Sequence, residues 1–134
     1  MKKIKKAGCI VLNKKGKKVA LVYRDFYKDY SFPKGHIEGK ESLIECAIRE
    51  TAEETKRDVR LLQDTPIYIE KYNTKEEAIE VYYYLAEDTG PSMNTSLDTH
   101  PTVWVKIEDV YNKLTYKSSK ELWENINDKI MKYI

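Results

Sequence analysis

The chain has 134 residues, enough for one hydrophobic core and not for two independent ones. Its 24 basic and 22 acidic residues leave a net charge of only +2, which argues against a general nucleic-acid binder. No apolar run approaches the ~20 residues of a membrane span, and no apolar stretch with a small-residue cleavage site follows the basic start at Lys2 and Lys3, so a cytoplasmic protein with no membrane partner is expected.

Ala7-Gly8-Cys9-Ile10-Val11-Leu12 reads as a first strand and Val19-Ala20-Leu21-Val22-Tyr23 as its hairpin partner. Asn13-Lys14-Lys15-Gly16 between them is a turn signal, with Gly16 expected to supply a positive φ. Residues 24–30 read as a polar, aromatic loop, and Pro33 forces Phe32 to extended angles. Over residues 42–55 the apolar period changes to that of a helix, with Leu43, Ala47 and Thr51 on one side. Strand-like runs follow at 59–62, 67–72 and 78–86, and Thr89-Gly90-Pro91-Ser92 is expected to break the chain. A short strand at 103–107 and helices at 108–114 and 118–133 complete the order. This is an α/β pattern, helices packed on a mixed sheet in a single domain spanning 1–134. Cys9 and Cys46 sit among apolar residues and outside any Cys/His cluster, so they read as small core residues in a reducing setting.

The helix at 42–55 carries the chemistry. Glu50, Glu53 and Glu54 stand at i, i+3 and i+4, on one helix face. Like charges at that spacing cost roughly 0.2–0.5 kcal/mol per pair. A divalent cation offsets the repulsion directly, and Mg²⁺ prefers such hard oxygen ligands. Arg49 is placed to orient one carboxylate, and Glu41 lies on another face at the helix start, where the helix dipole favours it. From these residues alone a solvated acidic face remains the alternative.

The surroundings decide between the two. Gly35, five residues, Glu41, seven residues and then Arg49-Glu50-Thr51-Ala52-Glu53-Glu54 match the Nudix box, here residues 35–57, at every acidic and basic position. The chain therefore resembles the Nudix hydrolases. Two departures close the box: Lys56 and Arg57 stand where the family has Gly and an aliphatic residue. Gly there allows a left-handed helix end; Lys56 either adopts that conformation at ~1 kcal/mol or the helix closes differently.

The resemblance implies the Nudix α/β/α sandwich with a mixed sheet between helices. It implies Mg²⁺, or Mn²⁺ in its place, held by Glu50, Glu53, Glu54 and the backbone carbonyl of Lys34. Arg49 would orient Glu50, and Glu41 would support a metal-bound water or an outer ion. The implied reaction is cleavage of a phosphoanhydride in a nucleoside or dinucleoside polyphosphate by a monomer or homodimer. Ser31-Phe32-Pro33-Lys34-Gly35-His36 further resembles the dinucleoside tetraphosphate hydrolases, as do Val81-Tyr82-Tyr83-Tyr84-Leu85-Ala86 and the stretch His100 to Val105. That subfamily points to diadenosine tetraphosphate, cut to ATP and AMP. An RNA 5′ end, a damaged nucleoside triphosphate or an inositol pyrophosphate is an alternative substrate, and a non-catalytic nucleotide sensor is a different class of function.

For substrate contacts, Lys34 and His36 stand beside the acidic helix and are candidates for phosphate. Tyr82 and Tyr84 share one strand face and Tyr83 takes the other, so one face is core and the opposite one is available to stack a base. Tyr83 is the candidate carried forward, with Tyr27 and Tyr30 as loop alternatives. Asp98, just before His100, is a candidate extra carboxylate beside the substrate. Trp104 and Trp123 read as core.

Overall fold

The computed structural model describes residues 1–93 and 102–134. Its axis is β1 (Lys2–Asn13), which runs parallel to β7 (Glu77–Pro91) from the Lys2–Glu77 pair to the Leu12–Glu87 pair. β1 begins five residues before the apolar run, because exposed Lys3 and Lys5 are tied to β7 by backbone pairing rather than by burial. β4 (Lys34–His36) pairs antiparallel with β1, Gly8 facing Lys34. β2 (Lys18–Arg24) meets β1 only beside the turn and pairs instead with β3 (Asp29–Ser31) and β8 (Thr102–Lys106). β5 (Arg57–Leu61) and β6 (Tyr68–Asn73) flank β7. One parallel pairing among antiparallel ones makes the sheet mixed, as expected.

The two faces of this sheet carry cores of different grain. Alternation along β1, β2 and β7 sends Ile10, Leu12, Leu21, Val81, Tyr83 and Leu85 to one face, where they pack with Leu122, Trp123 and Ile126 of α3 (Lys117–Met131). Ala7, Cys9, Val11, Ala20, Tyr84 and Ala86 face the other way, against Cys46 and Ala47 of α1 (Leu43–Thr55). The small residues let α1 lie close to the sheet: the Cys9 thiol reaches the Ala47 carbonyl at 3.7 Å. Both thiols are free and fully buried. The result is the α/β/α sandwich. A 3₁₀ turn at Ile107–Asp109 and a one-turn α2 (Val110–Lys113) lead into α3. Among the described residues no helix is long and apolar enough to cross a membrane.

Three local readings change. The turn after β1 takes its positive φ at Lys17 (φ 52°), not at Gly16. Gly16 instead donates its N–H to the Asn13 side chain at 2.9 Å, so Asn13 closes the turn. Residues 89–92 do not break β7. Gly90, at φ 135°, lies beside the register shift between Asp58 and Val59, and a bulge carries the strand on to Pro91. Trp104 is only half-buried, with the Arg57 guanidinium over its ring at 6.0 Å, whereas Trp123 is core.

Sequence accounts for both ends of α1. Ser42 and Glu45 form a reciprocal capping box: the Glu45 N–H donates to Ser42 Oγ at 3.1 Å, and the Ser42 N–H donates to Glu45 Oε1 at 2.9 Å. At the other end Lys56 is left-handed (φ 58°, ψ 29°), the conformation the box normally gives to glycine. Its N–H donates to the Ala52 carbonyl at 2.9 Å, and its ammonium donates to the Glu53 carbonyl at 2.8 Å. Lys56→Gly should therefore stabilise the protein by less than about 1 kcal/mol, since relief of left-handed strain outweighs the loss of a part-buried ammonium contact. Urea unfolding midpoints check this.

Candidate active site

Arg49 is the hub. Its Nε and Nη2 donate to the two oxygens of Glu41 at 2.5 and 3.0 Å, a forked pair. Nη1 donates to Glu50 Oε1 at 2.9 Å and to both oxygens of Glu53 at 3.2 Å. Nη2 also donates to the His36 carbonyl at 2.9 Å, tying β4 to the helix. Glu41 lies just ahead of α1; the Glu38 N–H fixes its carboxylate at 2.9 Å, and the Arg49 fork holds its pKa below the ordinary range. The guanidinium is held protonated well beyond its usual range, chiefly by Glu41.

Glu54 points elsewhere. Its Oε1 accepts the Lys34 N–H at 3.0 Å. Glu50 lies between the two sets, with a side chain only 14% exposed. Burial raises its pKa despite the Arg49 contact, the sign of a carboxylate short of compensating positive charge. Gly35 makes the room: a Cβ there would sit 2.1 Å from the Glu50 carboxyl. Gly8 does the same one layer down, where a Cβ would meet the Pro33 carbonyl at 1.9 Å.

Among the described residues no three acidic, His or Cys groups already surround one point as metal ligands do. The donor set still fits a hard divalent cation. Glu50 and Glu54 line one cleft, and among the described residues Glu50 Oε2 accepts no hydrogen bond. Glu53 is turned to Arg49, so it reaches a shared ion only by a rotamer change.

That cleft, of about 410 Å³, is lined at one end by Glu38, Glu50, Glu54 and His36. A second cleft of about 320 Å³ continues from it, and the two share Lys6, Arg24, Ser31 and Lys34. The far end holds Glu70, Tyr72, Tyr83, Tyr116, Ser118 and Ser119. The groove thus runs from carboxylates, past three cations, to tyrosines. Burial, with Lys34 nearby, lowers the pKa of the Lys6 ammonium.

Lys34, His36, Glu50 and Glu54 come together here; Glu41, Arg49 and Glu53 form the layer behind. The stacking role expected of Tyr83 is corrected. It is 3% exposed and meets Phe32 edge-on at 5.9 Å, because α3 covers the strand face opposite α1. It forms floor and has no open ring face. Tyr27 is exposed, under the Arg24 guanidinium at 4.3 Å, and Tyr30 lies in β3 with Lys113 over its ring. Asp98 and His100 lie outside the described residues. Sequence reasoning missed Lys6, Arg24, Tyr72 and Tyr116. Lys6 and Arg24 sit at the ends of apolar runs and pass for solvated rims, and the burial of Glu70 inside β6 shows only in the structure.

The sequence matches the NUDIX domain family over residues 2–126. The chain belongs to the Nudix family. Nudix hydrolases act on nucleoside polyphosphates, and the family generally uses divalent metal ions. Among solved structures the fold is similar to a NUDIX hydrolase from Nitrosomonas europaea, with a TM-score of 0.79 and 18% identity over 96% of this chain and 90% of that one. It is also similar to the Ap4A hydrolase of C. elegans, with a TM-score of 0.73 and 24% identity over 97% and 99%. These likenesses speak to fold. An 8-oxo-(d)GTP phosphatase of Mycolicibacterium smegmatis is 27% identical over 108 residues, 78% of this chain. The match spans only 32% of that relative's length.

Gly35→Ala should drive the Glu50 carboxyl out of its seat and weaken Mg²⁺ or Mn²⁺ uptake about 10- to 100-fold, with the circular dichroism unchanged. Calorimetric titration measures it.

Proposed function

We propose that this Nudix protein is a Mg²⁺-dependent hydrolase of dinucleoside polyphosphates, with diadenosine tetraphosphate, cut to ATP and AMP, as the foremost substrate. The groove carries this reading, since it offers carboxylates, then Lys6, Arg24 and Lys34, then Tyr72 and Tyr116 in sequence. A chain of several phosphates needs cations along its length, and a terminal base needs aromatic surface worth roughly 1–3 kcal/mol. Tyr116 is 44% exposed and Tyr72 half-buried, so both have ring surface to offer. The Phe32-Pro33-Lys34-Gly35-His36 resemblance supports the same subfamily.

A phosphoanhydride resists hydrolysis because its oxygens repel a nucleophile. Glu50 and Glu54 would hold Mg²⁺, which would supply charge neutralisation and make the attacking water more acidic. The chain's own residues do the rest. Arg49 holds Glu50 and Glu53 in place, and the backbone N–H of Lys34 holds Glu54. Lys6, Arg24 and Lys34 bind phosphate oxygens and seat the polyphosphate chain in the groove. Water adds to one phosphorus, the bridging P–O bond breaks, and the proton passes to a carboxylate of α1. The products are two phosphate esters.

A second reading is sanitation of an oxidised nucleoside triphosphate, favoured by the 27% identity to the 8-oxo-(d)GTP phosphatase. Incubation with Mg²⁺ and diadenosine tetraphosphate, 8-oxo-dGTP or 5′-triphosphorylated RNA separates the possibilities by their products. Equimolar ATP and AMP are expected. Faster release of pyrophosphate or phosphate from 8-oxo-dGTP transfers the assignment to the second reading, and salt-sensitive turnover of RNA ends moves it to RNA. Turnover of none overturns hydrolysis altogether.

Glu54→Gln and Glu53→Gln should each lower turnover by orders of magnitude in a folded protein. Near-normal rates in both would refute the carboxylate site.

A further inference from the structure

One wall of the groove hangs on a buried carboxylate. Asp29, the first residue of β3, is 1% exposed. Arg24 donates to it through Nε at 2.8 Å and through Nη2 at 2.5 Å. The Tyr116 hydroxyl donates to the same Oδ2. Beside this junction the Tyr30 N–H donates to Thr115 Oγ1 at 2.8 Å, and the Thr115 N–H donates to the Tyr30 carbonyl at 3.4 Å. The segment before α3 is thereby laced to β3. The Arg24 plane lies over the Tyr27 ring.

A carboxylate this deep costs several kcal/mol unless its lone pairs are taken. Here the partners that take them are two groove residues from opposite parts of the chain. Arg24 stands in the stretch common to both clefts, and Tyr116 in the far cleft. With Nε and Nη2 committed to Asp29, Nη1 has no hydrogen-bond partner among the described residues.

We propose that Asp29 is a positioning residue that sets the span between the phosphate-binding and base-binding ends of the groove, holding the Arg24 guanidinium and the Tyr116 ring at one fixed separation. Arg24 Nη1 is the donor it leaves for a phosphate oxygen. This rests on the polyphosphate reading of the groove. Asp29 lies outside the carboxylate cluster around Arg49, so it governs how the substrate seats and not the bond-breaking step.

Steady-state kinetics with diadenosine tetraphosphate and Mg²⁺ test it. Asp29→Asn, which keeps the shape but loses the charged fork, should raise KM about tenfold and leave kcat within about twofold. Arg24→Lys, which keeps the charge, should do the same because a single ammonium cannot serve Asp29 and a phosphate together. The double variant should be little worse than either single one, the mark of residues acting as a unit. Tyr116→Phe, which keeps the ring but removes the hydroxyl from Asp29, should raise KM severalfold and lower the thermal midpoint in a protein that still folds, and it decides the matter with Arg24→Lys should Asp29→Asn fail to fold. Unchanged KM, additive effects, or a fall confined to kcat would each overturn the inference while the wild-type enzyme still turned over. A wild type inert on every polyphosphate would instead remove the hydrolase reading, and this inference with it.

Discussion

The site depends on one close approach: β4 lies against α1 with nothing but a glycine between strand and carboxylate. Gly35 leaves Glu50 a seat that any Cβ would fill. Gly8 allows the same approach of β1 to the Pro33 carbonyl. The small face of the sheet, with Ala7, Cys9 and Ala20, then lets α1 settle close. Seating a carboxylate there is unfavourable in isolation, because burial favours its neutral form. The fold accepts this because the Arg49 guanidinium donates to Glu50 Oε1 at 2.9 Å.

Charge balance shows why the arrangement calls for a ligand. Arg49 carries one positive charge and contacts Glu41, Glu50 and Glu53, with Glu38 a further 3.6 Å ion pair. Two charges at 4 Å interact by about 4 kcal/mol at an effective dielectric near 20. One guanidinium cannot cancel four carboxylates at that scale, and Glu54 adds its own oxygen to the same cleft. The excess negative charge faces the groove, where the next groups are cations. A metal ion suits the carboxylates and a polyphosphate the cations beside them, so the two neighbouring sets suit the two halves of one metal–phosphate ligand.

The box was legible because its information is local. Glu50, Glu53, Glu54 and Arg49 lie within two turns of one helix, where spacing alone fixes direction. The capping box at Ser42 and Glu45 is local in the same way. The groove was not legible, because it is assembled by sheet order. Lys6 on β1 and Arg24 at the end of β2 line the same clefts although the two strands pair only beside their turn, and Tyr72 and Tyr116 join them from β6 and the loop before α3. Tyr83 shows the complementary limit. Alternation set it on the face opposite Tyr82 and Tyr84, but whether that face met solvent depended on α3, whose packing partner no local pattern names.

The end of the box shows which part of the motif answers to architecture and which to chemistry. Glycine is used there for a left-handed residue, and Lys56 reaches the same φ and ψ. Its ammonium on the Glu53 carbonyl offsets part of the strain. Arg57 then enters β5 and forms a fork with Asp88 of β7, two bonds of 2.7 Å, fastening the strand that leaves α1. The two residues that depart from the pattern are thus absorbed by a cap and an ion pair at the C-terminal end of α1. The glycine at the other end has no such substitute, because what it provides is empty space beside a carboxylate, and no side-chain conformation can provide that.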